Sequence, residues 1–151
     1  MILEMLAFAA IAAGGSRQQA QVVMPTNARQ RAFQEQLGYA DAIVVDGIVY
    51  VSGVPAYLAP GETDPAIAYR RAFTTIGATL GRAGVSFDDV VSMTTYHTDP
   101  VAQIEVFAKV KSEFIKGPPP AWSAIGTTAL LQPGGLVEIA VVAHVPKKAA
   151  Q

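Results

Sequence analysis

The stretch from Pro118 to Pro146, PPPAWSAIGTTALLQPGGLVEIAVVAHVP, constrains the fold of this chain more than any other. Prolines lack an amide donor and clash with the preceding turn, so a helix upstream must stop before the run Pro118–Pro120. Trp122 to Leu131 and Leu136 to Val145 then read as two strands joined by a Gly-rich turn at Gln132 to Gly135. The second strand is mostly apolar on both faces (Leu136, Val137, Ile139, Val141, Val142), which predicts that both are covered. Glu138 interrupts it. A carboxylate in such a strand is costly unless it is paired or functional. Glu138 could hold a water as a general base, pair with an arginine of a neighbouring subunit, or face outward at an edge.

Upstream, Ala42 to Val45 and Ile48 to Val51 are β-branched runs flanking Asp46-Gly47. Both central residues of a two-residue hairpin turn need positive φ, and Asp-Gly supplies them, so a hairpin is expected that ends at Ser52-Gly53. Val54 to Gly61 reads as a Pro/Gly loop. Asp64-Pro65 then opens a helix with Asp as N-cap and Pro at the first helical position. Ala66, Tyr69, Phe73, Ile76 and Leu80 form its apolar stripe, with Arg70, Arg71, Thr74 and Arg82 largely off it and Gly84 as the stop. Val90 to His97 reads as a strand. Asp99-Pro100 opens a second helix with apolar residues Val101, Ile104, Phe107 or Ala108, and Phe114, while Lys109, Lys111 and Glu113 face water. Arg17 to Gln36 is polar and Gln-rich, and reads as a short strand or extended arm followed by a loop turning helical around Arg31–Gln36.

The resulting order is ββαβαββ. Each helix gives a crossover of the length parallel pairing requires, so the fold class is α+β: one mixed sheet with both helices on one face. The other face needs a partner, and association through the sheet is the economical way to cover it. The 151 residues fit one domain, with no internal repeat. Charged residues make up only 15%, against about 25% in an average soluble domain, which fits a homo-oligomer, an exported segment or a large apolar core.

Net charge is −1 and the pI is about 6.1, with no basic run, which argues against phosphate-driven nucleic-acid binding. The chain has no cysteine, hence no disulfide, thiolate nucleophile or thiolate metal site. The two histidines, His97 and His144, lack metal-ligand spacing, so no metal is expected. Met1 to Ala13 is apolar apart from Glu4 and too short to span a bilayer, which takes about 20 residues. It fits either a secretory signal cleaved near Ala13 or Ala20, implying a periplasmic or secreted protein, or a frayed helix on a cytoplasmic one. The domain therefore covers 21–146, with 1–20 as signal or tail and 147–151 as a polar C-terminal tail.

Three stretches in this order, GYADAIVVDGIVYVSG, LGRAGVSFDDVVSMTTYHTD and PPPAWSAIGTTALLQPGGLVEIAVVA, resemble the RidA family, also called YjgF or reactive-intermediate deaminase proteins. The resemblance runs from about Gly38 to Pro146. It implies a chorismate-mutase-like fold and a homotrimer whose sheets form a central barrel, with a small-molecule cleft at each subunit interface. It also implies cofactor-free hydrolysis of 2-imino acids to 2-oxo acids and ammonia. Position by position, the family's cleft tyrosine matches Tyr39, its Ser-Gly matches Ser52-Gly53, and the glutamate that positions the attacking water matches Glu138. The family's Pro-Ala-Arg stretch, whose arginine grips the substrate carboxylate, is here Pro120-Ala121-Trp122, and a residue that is often cysteine is Ala124. Trp122 offers a flat wall and one N–H donor but no positive charge. It reads either as ligand contact or as packing at a subunit interface. Arg70 and Arg71 read as a solvated face, unless one reaches the cleft in place of the missing arginine.

Overall fold

The computed structural model describes residues 15–146. The possible signal segment and the C-terminal tail lie largely outside them. The elements are strand β1 (Gln21–Val23), helix α1 (Ala28–Leu37), β2 (Ala42–Val45), β3 (Ile48–Tyr57), α2 (Pro65–Arg82), β4 (Val90–His97), α3 (Pro100–Phe114), β5 (Ala121–Gly126) and β6 (Gly135–His144). The strands form one sheet in the order β1-β2-β3-β6-β4-β5, antiparallel throughout except for the parallel pair β4–β5. The class is α+β, as expected, with a strand and a helix added before the first hairpin.

The turn and cap chemistry is built as the residues dictate. Asp46 and Gly47 take φ of 52° and 75° between β2 and β3. Asp64 Oδ1 accepts from Ala66 N at 2.9 Å, and Asp99 Oδ1 accepts from Ala102 N at 3.1 Å. The stripe of α2 is buried at Tyr69, Phe73, Ile76 and Leu80. On α3 the buried face is Gln103, Phe107 and Val110, and Val101 is exposed. Val101 lies in the first turn, before the helix settles over the core, so apolar character alone misplaces it on the inner face.

Three further expectations are corrected. Beyond its bulge β3 does not end at Gly53 but continues to Tyr57, paired on one side with β6. Its register with β2 stops at Val51, so Pro55 lies where only one neighbour needs a ladder, the setting that tolerates proline. The two strands of the Pro118–Pro146 stretch are not neighbours: β6 runs between β3 and β4, antiparallel to both. Finally, β5 is short, because β4 ends at His97 and leaves residues after Gly126 with no ladder to join.

α1 extends over ten residues rather than a turn around Arg31–Gln36. Asn27 caps it, accepting from Arg29 N and Gln30 N at 3.0 and 3.1 Å, and it ends at Gly38. It buries only Gln34, so it carries no apolar stripe to reveal it, and its caps and good helix formers set its extent.

The core lies between α2, α3 and one sheet face. Val137, Ile139, Val141 and Ala143 of β6 point into it, as do Met93, Thr95 and His97 of β4. The alternate residues therefore occupy the opposite face, which the single chain leaves uncovered. There lie Glu138, Ala140 and Val142, with Tyr50, Tyr96 and Ile125 exposed.

Candidate functional site

A cavity of about 480 Å³ opens between α1, α2 and the middle of β3. Tyr39, Ser52 and Gly53 line it, together with Gln34, Asp41, Arg82 and the threonines of α2. Ser52 is fixed twice: its Oγ donates to Ala40 O at 2.6 Å, and its N donates to Asp41 O at 2.9 Å. These bonds tie the strand to the loop carrying Tyr39 just as the β2–β3 register ends.

The strand bulges between Val51 and Val54, where its pairing with β6 shifts. A bulge re-aims the chain, and here it puts Gly53 against the side chain of Glu138. A Cβ on Gly53 would fall 2.1 Å from Glu138 Oε1, closer than atoms can approach. Glycine at this position is a steric requirement of where the carboxylate lies. Glu138 is half-buried on the uncovered face, opposite Pro55 on one side and Tyr96 on the other. Among the described residues no hydrogen bond or ion pair ties its carboxylate to another side chain. Gly53 thus belongs both to the cavity wall and to the surface beneath Glu138.

Trp122 goes elsewhere. It pairs in register with buried Met93, and its ring lies 5.8 Å from that of Phe107 of α3. Its Nε1 donates to Thr95 Oγ1 at 3.0 Å, and Lys111 Nζ stands 4.8 Å above its ring. The tryptophan therefore sits in the helix layer, on the face opposite Glu138. His97 joins the same cluster, fully buried, with Nε2 2.9 Å from Thr95 Oγ1 and its ring edge-on to Phe107 at 5.3 Å. Burial lowers its pKa below the usual histidine value. His144 is exposed at the end of β6.

Neither Arg70 nor Arg71 lines the cavity. Arg70 is bidentate on Glu113 of α3, both bonds 2.7 Å, and Arg71 binds Glu62 and Tyr57 O. These pairs hold Glu113 and Glu62 below the usual carboxylate range, through the guanidinium hydrogen bonds first. The arginine that does face the cavity is Arg82, in the last turn of α2. It donates to Asp41, whose other oxygen accepts from Gln34 Nε2 at 2.7 Å. Sequence reading missed this triad because Gln34 and Asp41 lie seven residues apart across a helix end, and Arg82 joins them only in three dimensions. The signal was faint: a polar Arg82 close to the apolar stripe of α2, and an aspartate just after Tyr39. No group of three or more metal-ligating side chains occurs among the described residues.

Comparison with known proteins identifies the family of the chain. Residues 29–145 match the family described as Endoribonuclease L-PSP. The RutC family protein YjgH of Escherichia coli (strain K12) is 38% identical over 113 residues, covering 73% of this chain and 85% of that protein. Among solved structures, a member of the YjgF/YER057c/UK114 family from Mycobacterium tuberculosis superposes with a TM-score of 0.71 at 29% identity, over 83% of this chain and 99% of that one. The Rid-family protein YyfA from Yersinia pestis does so at 0.70 and 31%, with 83% and 99% covered. With the family match spanning most of its length and a relative this similar, the chain belongs to the RidA/YjgF family.

Proposed function

We propose that the chain binds a small organic molecule beside the β3 bulge and hydrolyses a reactive imine or enamine to a carbonyl compound and ammonia. The observation that carries this reading is Glu138: a half-buried carboxylate with no side-chain partner among the described residues, seated over a glycine that leaves room for nothing else. Glu138 accepts a proton from a water as the water oxygen attacks the imine carbon. Glu138 returns that proton to nitrogen, giving the carbinolamine; the hydroxyl proton then passes to nitrogen by way of the same carboxylate as the C–N bond breaks, releasing ammonia and leaving the carbonyl product. Tyr39 and Ser52 orient the ligand. General-base assistance of this kind is worth about 10²- to 10⁴-fold in rate. The family's trimer is part of the proposal, since the uncovered face bearing Glu138, Tyr50 and Tyr96 becomes a desolvated cleft only when another copy covers it. Light scattering tests this, and a monomer at micromolar concentration removes the cleft.

A second reading, a non-catalytic ligand-binding module, is favoured by Trp122. The residue matching the family's carboxylate-gripping arginine carries no charge and is packed against Phe107. Small 2-imino acids are therefore poor substrates, and a bulkier or less acidic imine is the better candidate. An endoribonuclease activity, which the family description names, finds little support in the cavity: its arginine, Arg82, is neutralised by Asp41. One assay separates the two main readings. Imines of 2-oxopropanoate and of bulky oxo acids are generated in situ, and ammonia release is followed with wild-type protein and Glu138→Gln. A wild-type rate above buffer that collapses in the variant is expected; equal rates in both, at the buffer level, exclude catalysis.

A further inference from the structure

The Gln34–Asp41–Arg82 triad restricts what the cavity can hold. Its formal charge is zero: the Arg82 guanidinium faces Asp41 and also donates to Thr79 Oγ1 at 3.2 Å and Ala78 O at 3.5 Å, and Asp41 is shared with the neutral Gln34 amide. An incoming carboxylate meets Asp41 as well as Arg82, and an ammonium meets Arg82 as well as Asp41, so neither charge gains a net partner. A neutral, strongly dipolar group is the one that loses nothing on entry.

The hydrogen-bond inventory says which dipole. Ser52 donates to Ala40 O, Thr74 to Arg70 O, Thr75 to Arg71 O and Thr79 to Thr75 O. All four hydroxyls line the cavity, and all have spent their proton on a backbone carbonyl, so they offer only lone pairs. Within the triad two buried atoms have no partner: Gln34 Oε1, an acceptor, and Arg82 Nε, a donor. Gln34 is only 7% exposed. Buried polar atoms without partners are rare and call for an explanation, and here both border one cavity. Among these lining groups the surplus is acceptors, with one donor among them; the further donors, on Thr26, Gln30 and Tyr39, sit on exposed residues.

We propose that this cavity takes a ligand bearing a terminal carbamoyl group, –CO–NH₂, as in primary amides and ureas. The carbamoyl oxygen accepts from Arg82, and its two N–H bonds go to Gln34 Oε1 and a threonine or serine oxygen. The proposal rests on the cavity being the ligand site argued above, but not on any chemistry at Glu138.

The test is an NMR titration of the full chain with three probes of equal chain length: butyramide, butyrate and N,N-dimethylbutyramide. Butyramide is expected to shift the Arg82 Nε–H signal and the Thr75 and Thr79 amides. It should bind about tenfold more tightly than either relative, since the first lacks neutrality and the second lacks the N–H donors. Arg82→Lys keeps the charge facing Asp41 and removes Nε, and should weaken butyramide about tenfold. Should that variant fail to fold by circular dichroism, the three-probe series on wild-type protein decides alone. Butyrate binding as tightly as butyramide, dimethylation without effect, or no butyramide binding overturns the proposal. Butyramide binding is read with no imine present, and imine hydrolysis by ammonia release, so failure of the one and failure of the other are separate results.

Discussion

Glu138 and His97 lie on adjacent strands, within one residue of each other in register, and meet opposite fates. Tyr96 is the β4 partner of Glu138, and His97 pairs with Val137. The one-residue offset sends Glu138 to the uncovered face and His97 into the helix layer. His97 is boxed in by Thr95, Phe107 and the Trp122 cluster, whereas Glu138 faces outward over Gly53 with no side-chain partner among the described residues. A buried polar group held by neighbours supports packing; a half-buried one left without partners is available for a ligand. Under the proposed function, the inner face of the sheet serves stability and the outer face, with the bulge, serves the reaction.

The largest way to sharpen that contrast is Phe107→Ala. Phe107 is fully buried and touches Tyr69, Phe73, His97 and Trp122, with ring centroids 5.3–5.8 Å away. Its truncation should cost about 3–5 kcal/mol, read by urea denaturation. Any ammonia release by molecules that remain folded should be unchanged. A loss of stability below about 1 kcal/mol would break the assignment of the inner face.

Next comes Gly53→Ala, which should do the reverse. The backbone there is not in the left-handed region, and the atom in the way is the end of a flexible side chain, so the fold can adapt. The carboxylate must swing aside. Misplacement by about 1 Å is worth on the order of 10²-fold in rate, and that loss is expected with the melting midpoint nearly unmoved. Adding Gly53→Ala to Glu138→Gln should then cost little more, because both remove the same positioned group. Fully additive losses would show that Gly53 acts through something other than Glu138.

Much of this was legible in the chain. Asp46-Gly47, Asp64-Pro65 and Asp99-Pro100 are local signals whose chemistry does not depend on the rest of the fold, and each is built as read. The six-stranded order was not legible, because sequence periodicity cannot say that β6 inserts between β3 and β4. For the same reason Trp122 and Glu138, sixteen residues apart in the chain, could not be assigned to opposite faces. α1 lacked the apolar stripe that reveals a helix, and with it the Gln34 contribution to the triad went unseen. The bulge left only the Ser-Gly pair as its trace.

A smaller effect is expected at Trp122. Trp122→Phe keeps the ring against Phe107 and removes the Nε1 donor to Thr95, a loss of about 0.5–1.5 kcal/mol. Trp122→Arg is the sharper variant, since it installs the arginine that the family resemblance implies at this position. In this position the guanidinium lies under Lys111 and beside Phe107, so it should destabilise the protein and give no gain on small imino acids. Faster hydrolysis of 2-iminopropanoate by Trp122→Arg would mean that this strand reaches a substrate, and would break the division between the two faces.

The smallest effect is a pH dependence from His97. Burial lowers its pKa in the folded chain below the ordinary value of 6.5, so the folded state favours the neutral ring. Above pH 6.5 both folded and unfolded chains carry it neutral, and its contribution to stability is complete. As pH falls through 6.5 the unfolded chain binds a proton that the folded chain still refuses, so stability declines until the folded pKa is reached. The paired carboxylates Glu62, Glu105 and Glu113 also cost stability on acidification, but their unfolded value is 4.5, so their loss begins lower. Denaturation midpoints between pH 7 and pH 5, compared for wild type and His97→Gln, isolate the histidine. The wild-type midpoint should fall across this range and the variant's should stay flatter. Parallel curves would show that His97 takes up its proton as readily folded as unfolded, and would remove the inner-face half of the contrast with Glu138.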